Sequence, residues 1–146
     1  MKITLDTNIL VRGNQNASGP SRSLLNLISG SEHILVLSQN LLYELEEVLR
    51  YPQIRSLTRL TEAQIAEYVG FLSDVAELVD IGPPIPFPTP DADDWTVLRT
   101  AIHGDVDVLC SLDGHLRRYD LATVYEYYHI NVMTDVELLR LLRSTL

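Results

Sequence analysis

Short apolar segments alternate with amphipathic helical patterns along almost the whole chain. Residues 3–5, 34–37 and 106–110 form brief, mainly apolar runs. Runs of this kind are typical of strands that are covered on both faces. The segments between them repeat leucine and valine at helical spacing, as in residues 41–49. This alternation predicts an α/β fold, a three-layer α/β/α sandwich with a mainly parallel sheet.

Capping residues and prolines set the predicted boundaries. Gly30 ends the first helix, Ser38 caps the next, Pro52 terminates it, and Thr61 opens a third helix. The proline-rich stretch 82–92 cannot form a helix or a central strand, so it is predicted to be a surface connection inside a single domain spanning 1–146. The predicted helices are 21–28, 38–49, 61–79, 93–103, a short one after 113, and 136–142; the last strand is 129–133.

Composition limits the classes of function. The chain has 146 residues and a net charge of −9, which argues against coating nucleic acid by charge alone but allows an enzyme that reaches phosphates through metal ions. Cys110 is the single cysteine, so an internal disulfide is impossible and a cysteine-based zinc site is not expected. No apolar run is long enough to cross a membrane and no secretory signal pattern is present, so we expect a cytoplasmic protein without a membrane partner.

Two aspartates follow predicted strands directly. Asp6 ends the first strand and Asp113 lies just beyond the third. The carboxyl ends of parallel strands meet at one edge of the sheet, where ligands bind in such folds. Aspartate also starts turns and caps helices, so either residue by itself is weak evidence of a functional site.

Helical periodicity adds two further acids. Asp94 falls near the middle of the apolar face of its predicted helix, where a carboxylate is costly unless it is paired or bound to a metal, although it could also cap the helix. Asp93 falls to one side of that face. In the second helix, Glu44 and Glu46 both border the apolar stripe, so periodicity leaves the choice between them open, whereas Glu47 is expected to face solvent.

Four segments in order resemble the successive motifs of PIN-domain nucleases. These segments are LDTNIL, SQNLLYELEEVLRYP, PDADDWTVLRTA and VDVLCSLDGHL, and they are most similar to the subgroup regarded as toxin components of toxin–antitoxin pairs. The resemblance implies that the four catalytic, metal-binding acids are Asp6, Glu44, Asp94 and Asp113. It also implies that Thr7 or Asn8 supports the first acid and that Ser111 lies at the site edge. Asp93 is a candidate to support or replace the third acid.

Grouped carboxylates need cations to offset their mutual repulsion. Carboxylate and water oxygens suit Mg²⁺ or Mn²⁺, one or two ions, and no histidine pair has the spacing of a zinc site. The predicted function is therefore a metal-dependent endoribonuclease that hydrolyses phosphodiester bonds in single-stranded or structured RNA. Arg12, Arg117 and Arg118 are candidates for contacting substrate phosphates, although a solvated helix end is the simpler explanation of the last two.

Other functions compete with this one. A catalytically silent PIN-fold scaffold that binds RNA or protein keeps the fold without the chemistry. A phosphoacceptor receiver needs a lysine near its site, but Lys2 is the chain's one lysine and lies at the wrong end of its strand. A phosphatase of the DxD type would need a second aspartate where the first motif reads DTN. The expected protein partners are a small antitoxin and a second copy of the chain, with the helices around Leu24 or Val136 as candidate dimer surfaces.

Overall fold

The computed structural model describes residues 1–82, 95–114, 116 and 126–145. Five strands lie within these residues: β1 (Lys2–Leu5), β2 (Ile34–Ser38), β3 (Glu77–Val79), β4 (Val108–Cys110) and β5 (Asn131–Met133). The helices are α1 (Thr7–Arg12), α2 (Pro20–Ser29), α3 (Gln39–Leu49), α4 (Pro52–Thr58), α5 (Glu62–Val75), α6 (Trp95–His103) and α7 (Asp135–Ser144). No described helix is long and apolar enough to pass through a bilayer.

The strands form one parallel sheet in the order β3-β2-β1-β4-β5. In the central strand, Ile3 pairs with Leu35 on one side and Val108 on the other. The chain order therefore reverses at β1, because β2 and β3 lie to one side of it and β4 and β5 to the other. In a parallel sheet such a reversal opens a crevice between the carboxyl ends of the two strands that flank it, here β1 and β4.

Both faces of the sheet are covered, as the mainly apolar runs predicted. Ile3 and Leu5 point to one face of β1 and Thr4 to the other, and all three side chains are fully buried. The Thr4 hydroxyl is satisfied in the core, since it donates to the carbonyl oxygen of Val36 at 2.8 Å. The prediction of an α/β fold with a parallel sheet enclosed by helices is confirmed.

Helix caps follow the sequence closely at two positions. Ser38 Oγ accepts from the amide of Leu41 at 3.1 Å and so begins α3, and it also shares a 2.7 Å hydrogen bond with the buried hydroxyl of Thr100. Thr61 and Gln64 form a reciprocal capping box at the start of α5. These side chains satisfy backbone amides that the first helical turn leaves without partners.

Three elements differ from the sequence prediction. The helix predicted from Thr61 to Val79 ends at Val75, and Glu77–Val79 is instead the edge strand β3, paired with β2. Pro52 does not simply stop a helix: it starts α4, where its missing N–H costs nothing. Helix α1 was not predicted, and it begins directly after Asp6, which caps it.

The two residues that mark the candidate dimer surfaces differ in exposure. Leu24 is fully buried on α2, which packs against α7, so its side chain is not available to a second copy of the chain. Val136, at the start of α7, is 45% exposed and remains at the surface.

Two glycines provide a matched test of this packing. A Cβ on Gly104 would lie 2.4 Å from Cγ1 of the buried Val36 and 3.0 Å from the carbonyl oxygen of Thr100, whereas a Cβ on the exposed Gly70 of α5 would meet nothing within 4 Å. We expect Gly104→Ala to lower the free energy of unfolding by about 1–3 kcal/mol through overpacking. Gly70→Ala should raise it by about 0.5–1 kcal/mol because alanine favours the helix. Urea unfolding of both variants measures these changes, and an unchanged midpoint for Gly104→Ala would contradict the close approach.

Candidate active site at the carboxyl edge of the sheet

Asp6 is held at the point where β1 gives way to α1. Its backbone amide donates to the carbonyl oxygen of Cys110 at 2.9 Å, which ties the end of β1 to the end of β4. Its side chain accepts from the backbone amide of Thr7 at 2.7 Å and thereby caps α1. A carboxylate at this position is also stabilised by the positive end of the helix dipole. Asp6 is thus fixed at the crevice that the strand order creates.

Ser111 contacts the second oxygen of that carboxylate. Its hydroxyl donates to Oδ2 of Asp6 at 2.6 Å, while the same oxygen atom of Ser111 accepts from the backbone amide of Asp113 at 2.9 Å. Ser111 is fully buried, and its own amide donates to the carbonyl oxygen of Met133 in β5. The residue after β4 therefore links Asp6 to the backbone of Asp113.

Asn8 makes a similar connection across the site. Its side-chain nitrogen lies 3.5 Å from Oδ2 of Asp6, and its side-chain oxygen accepts from the amide of Leu112 at 3.3 Å. Thr7, Asn8 and Ser111 all contact Asp6. The family resemblance linked Thr7 or Asn8 to the first acid and placed Ser111 at the site edge.

A pocket of about 240 Å³ opens beside Asp6. Helix α3 contributes Glu44 and Val48 to its wall, and α6 contributes Val97. The complete lining is Asp6, Thr7, Asn8, Glu44, Val48, Val97 and Asp113. Three acids that are far apart in the sequence therefore face one pocket.

The choice between the glutamates of α3 follows from their surroundings. Glu44 lines the pocket, whereas Glu46 forms a 3.0 Å ion pair with Arg50 and Glu47 is exposed. Arg50 also contacts Glu62, and these two carboxylates raise the pKa of its guanidinium. The sequence pattern could not separate Glu44 from Glu46, because both border the same apolar stripe.

The donor chemistry of the pocket suits a hard cation. Its acidic lining offers oxygen ligands, the type that Mg²⁺ and Mn²⁺ prefer. Among the described residues, the buried Thr7 hydroxyl in this wall has no hydrogen-bond partner, and such a polar group costs free energy unless a ligand or water satisfies it. Within the part of the chain that the structure describes, however, no three acidic, histidine or cysteine side chains are grouped closely enough to hold an ion.

The prediction named five further residues. Asp93, Asp94, Arg117 and Arg118 are outside the described residues. Arg12 is described, and it lies exposed at the end of α1, where it lines a different pocket from Asp6. The sequence analysis did not identify Val48 and Val97 as pocket residues. Valines at helical spacing give the same sequence pattern whether they face a core or a cleft.

Comparison with known proteins identifies the family. The PIN domain model matches residues 2–115, and the chain belongs to the PIN-domain family. Its fold is similar to that of a chain in the crystal structure of VapBC2 from Rickettsia felis bound to a DNA fragment from their promoter. The TM-score is 0.58 at 14% identity, with 92% of this chain and 98% of the other covered. A search of curated protein sequences gave no significant match.

Cys110 provides a test of how tightly this edge of the sheet is packed. The thiol is fully buried, and burial raises its pKa above the usual range, with the carboxylates of Asp135 and Asp6 adding to the effect. Since the thiolate is the reactive form, we expect almost no labelling by a chromogenic disulfide reagent at about pH 8, near the ordinary thiol pKa. Labelling should become stoichiometric in urea.

The Asp74→Cys variant is the control for this measurement. Asp74 is exposed on α5, so the added thiol should react at once while Cys110 stays protected. Fast labelling of the wild-type chain in native buffer would show that the end of β4 opens readily.

Proposed function

We propose that this PIN domain is a metal-dependent endoribonuclease and the toxin component of a toxin–antitoxin pair. PIN domains are generally nucleases, and the family match covers residues 2–115. The observation that carries the proposal is the shared pocket of Asp6, Glu44 and Asp113 at the crevice between β1 and β4. These acids come from separate elements and lie together at the edge where ligands bind in parallel sheets. Packing of the hydrophobic core does not require carboxylates at that edge.

In this proposal Asp6, Glu44, Asp94 and Asp113 hold one or two Mg²⁺ or Mn²⁺ ions. Asp94 completes the set, since the described acids do not by themselves form a three-ligand group. It precedes the pocket residue Val97 by three positions, the spacing of neighbours on one helix face. When bound, such ions lower the pKa of a water molecule and stabilise charge on a phosphodiester.

The remaining pocket residues orient these acids. Ser111 and the Thr7 amide each donate to one oxygen of Asp6, which fixes the plane of its carboxylate. Ser111 also holds the backbone of Asp113, so the first and fourth acids are positioned by one hydroxyl. Hydrogen bonds of this kind around metal-binding side chains tune affinity and activity.

RNA is the proposed substrate, single-stranded or structured. With a net charge of −9, the chain has little general attraction for phosphate, so bound cations would supply positive charge where the substrate is cut. Arg117 and Arg118 follow Asp113 closely in sequence and are the proposed phosphate contacts. Arg12 is a weaker candidate, because it lines another pocket.

A protein partner follows from the same proposal. The Rickettsia felis structure of similar fold is VapBC2 bound to a DNA fragment from their promoter. We propose that this chain likewise pairs with an antitoxin, that it acts in the cytoplasm where cellular RNA is found, and that it works as a single domain over 1–146. Self-association through the exposed start of α7 is a further proposed contact.

A silent PIN-fold scaffold that binds RNA or protein is the second candidate. The PIN-domain match supports it equally, because a scaffold needs the fold without the metal chemistry. Calorimetric titration with Mn²⁺ at neutral pH separates the two, because a scaffold would give no binding heat.

Substitution of Asp6 tests the enzyme directly. We expect Asp6→Asn to reduce Mn²⁺-dependent cleavage of single-stranded RNA by about 100-fold or more, because the amide is a poor ligand for the ion. Asp74→Asn makes the same charge change on the exposed face of α5 and should cleave like the wild type. Equal cleavage by wild type and Asp6→Asn would end the nuclease proposal.

Two glutamates on α3 provide a second matched pair. Glu44→Gln should weaken Mn²⁺ binding about tenfold or more, because it removes a charged oxygen from the pocket wall. Glu47→Gln, one turn along on the exposed face, should leave the affinity as it is. Isothermal titration of both variants gives the comparison, and equal losses in the two would mean that general charge, not the pocket, attracts the ion.

A further inference from the structure

A second pocket, of about 360 Å³, lies at the same edge of the sheet. It is enclosed by the loop between α1 and α2, the end of α4 and the start of α7, and it shares no lining residue with the pocket around Asp6. Asp135 in its lining begins α7 just after β5, and β5 is parallel to β1 and separated from it by β4. We call this the Asp135 pocket.

The carboxylate of Asp135 is buried, and its hydrogen-bond partners among the described residues are neutral. The residue is 6% exposed, and its two oxygens accept from the Ser21 hydroxyl at 2.7 Å and from the Val136 amide at 2.9 Å. Both donors are neutral, and among the described residues no lysine, arginine or histidine nitrogen lies within 4 Å of it. The bond to Ser21 ties α2 to α7, and the carboxylate lies in the first turn of α7, where neutral donors and the helix dipole hold it. It has no cationic partner among the described residues, so it can still accept one.

The walls of this pocket are largely apolar. Val11, Ala17 and Pro20 contribute aliphatic surface, and Leu57 stands at its lip with 79% of its surface exposed. Arg12 also lines the pocket, but it is exposed and makes no ion pair with Asp135. An aliphatic wall leading to a buried carboxylate matches the two parts of a long basic side chain, an apolar stem and a cationic head.

We propose that the Asp135 pocket receives a single lysine or arginine side chain from a protein partner. The methylene groups would pack on the aliphatic wall, and the cationic head would form charge-assisted hydrogen bonds to Asp135. The chain's net charge of −9 favours the approach of a basic partner. An RNA strand fits less well, because its phosphates would approach a buried carboxylate. This inference rests on the proposed function in one respect, because the protein partner is the one proposed there and the Asp135 pocket is the place where that partner would be recognised.

The test is a titration of the ¹⁵N-labelled chain, followed by amide chemical shifts. The probe is N-acetyl-arginine methylamide, and the matched control is the citrulline analogue, which has the same shape without the charge. We expect saturating shifts at Gly19, Ser21 and Asp135, and binding of the citrulline analogue that is about tenfold weaker or more. Shifts confined to Asn8 and Asp113 would place the probe in the Asp6 pocket and overturn the proposal.

Two variants complete the test. Asp135→Asn removes the charge but keeps an acceptor for Ser21, and it should weaken arginine binding about tenfold or more. Ser18→Trp, on the exposed rim, fills the pocket without touching the carboxylate and should abolish the shifts even if Asp135→Asn folds poorly.

Undiminished binding in both variants, or shifts at the same amides caused by an RNA octamer in place of the arginine probe, would contradict the proposal. The arginine titration depends on neither metal binding nor RNA cleavage. A result that contradicts the nuclease proposal therefore leaves this test unaffected, and the reverse also holds.

Discussion

The parallel pairing of β1 with β4 is the contact on which the site depends. It joins segments about a hundred positions apart, with Leu5 opposite Cys110 and the amide of Asp6 bonded to the Cys110 carbonyl. That register brings Ser111 within 2.6 Å of the Asp6 carboxylate, although 105 positions separate the two residues. A shift of one residue would turn Ser111 to the other face of the sheet, because side chains alternate along a strand.

Stability and site chemistry are divided between different parts of the molecule. The strands and the inner faces of the helices supply fully buried aliphatic residues, among them Leu5, Leu37 and Leu45. The carboxyl edge, by contrast, gathers groups that a core would exclude: the acids of the Asp6 pocket, the unpaired Thr7 hydroxyl and the buried Asp135. Such groups oppose folding by themselves, so the surrounding core must offset their cost. Both proposed binding sites therefore lie at the same edge of the sheet.

The elements that could be predicted from sequence are those with a local physical cause. Apolar runs identified three of the strands, β1, β2 and β4, and Ser38 and Thr61 marked helix starts because each caps its own backbone. Strand β3 escaped prediction because its ladder forms with β2, which lies far from it in sequence. Local periodicity continued the helix through it, and pairing at the sheet edge overrode that tendency.

The sequence by itself determined the fold class, the family motifs and the acids that follow β1 and β4, because strand ends in a parallel sheet share an edge. Only the tertiary structure decided that Glu44, and not Glu46, faces the pocket, because that depends on how α3 packs and on Arg50 pairing with Glu46. It also separated Arg12 from Asp6, although Arg12 is only six positions further along the chain, because α1 leads from one pocket to another. Helical periodicity determines the direction in which a side chain points around the helix axis. The residues that this side chain contacts are determined by packing between segments that are distant in sequence.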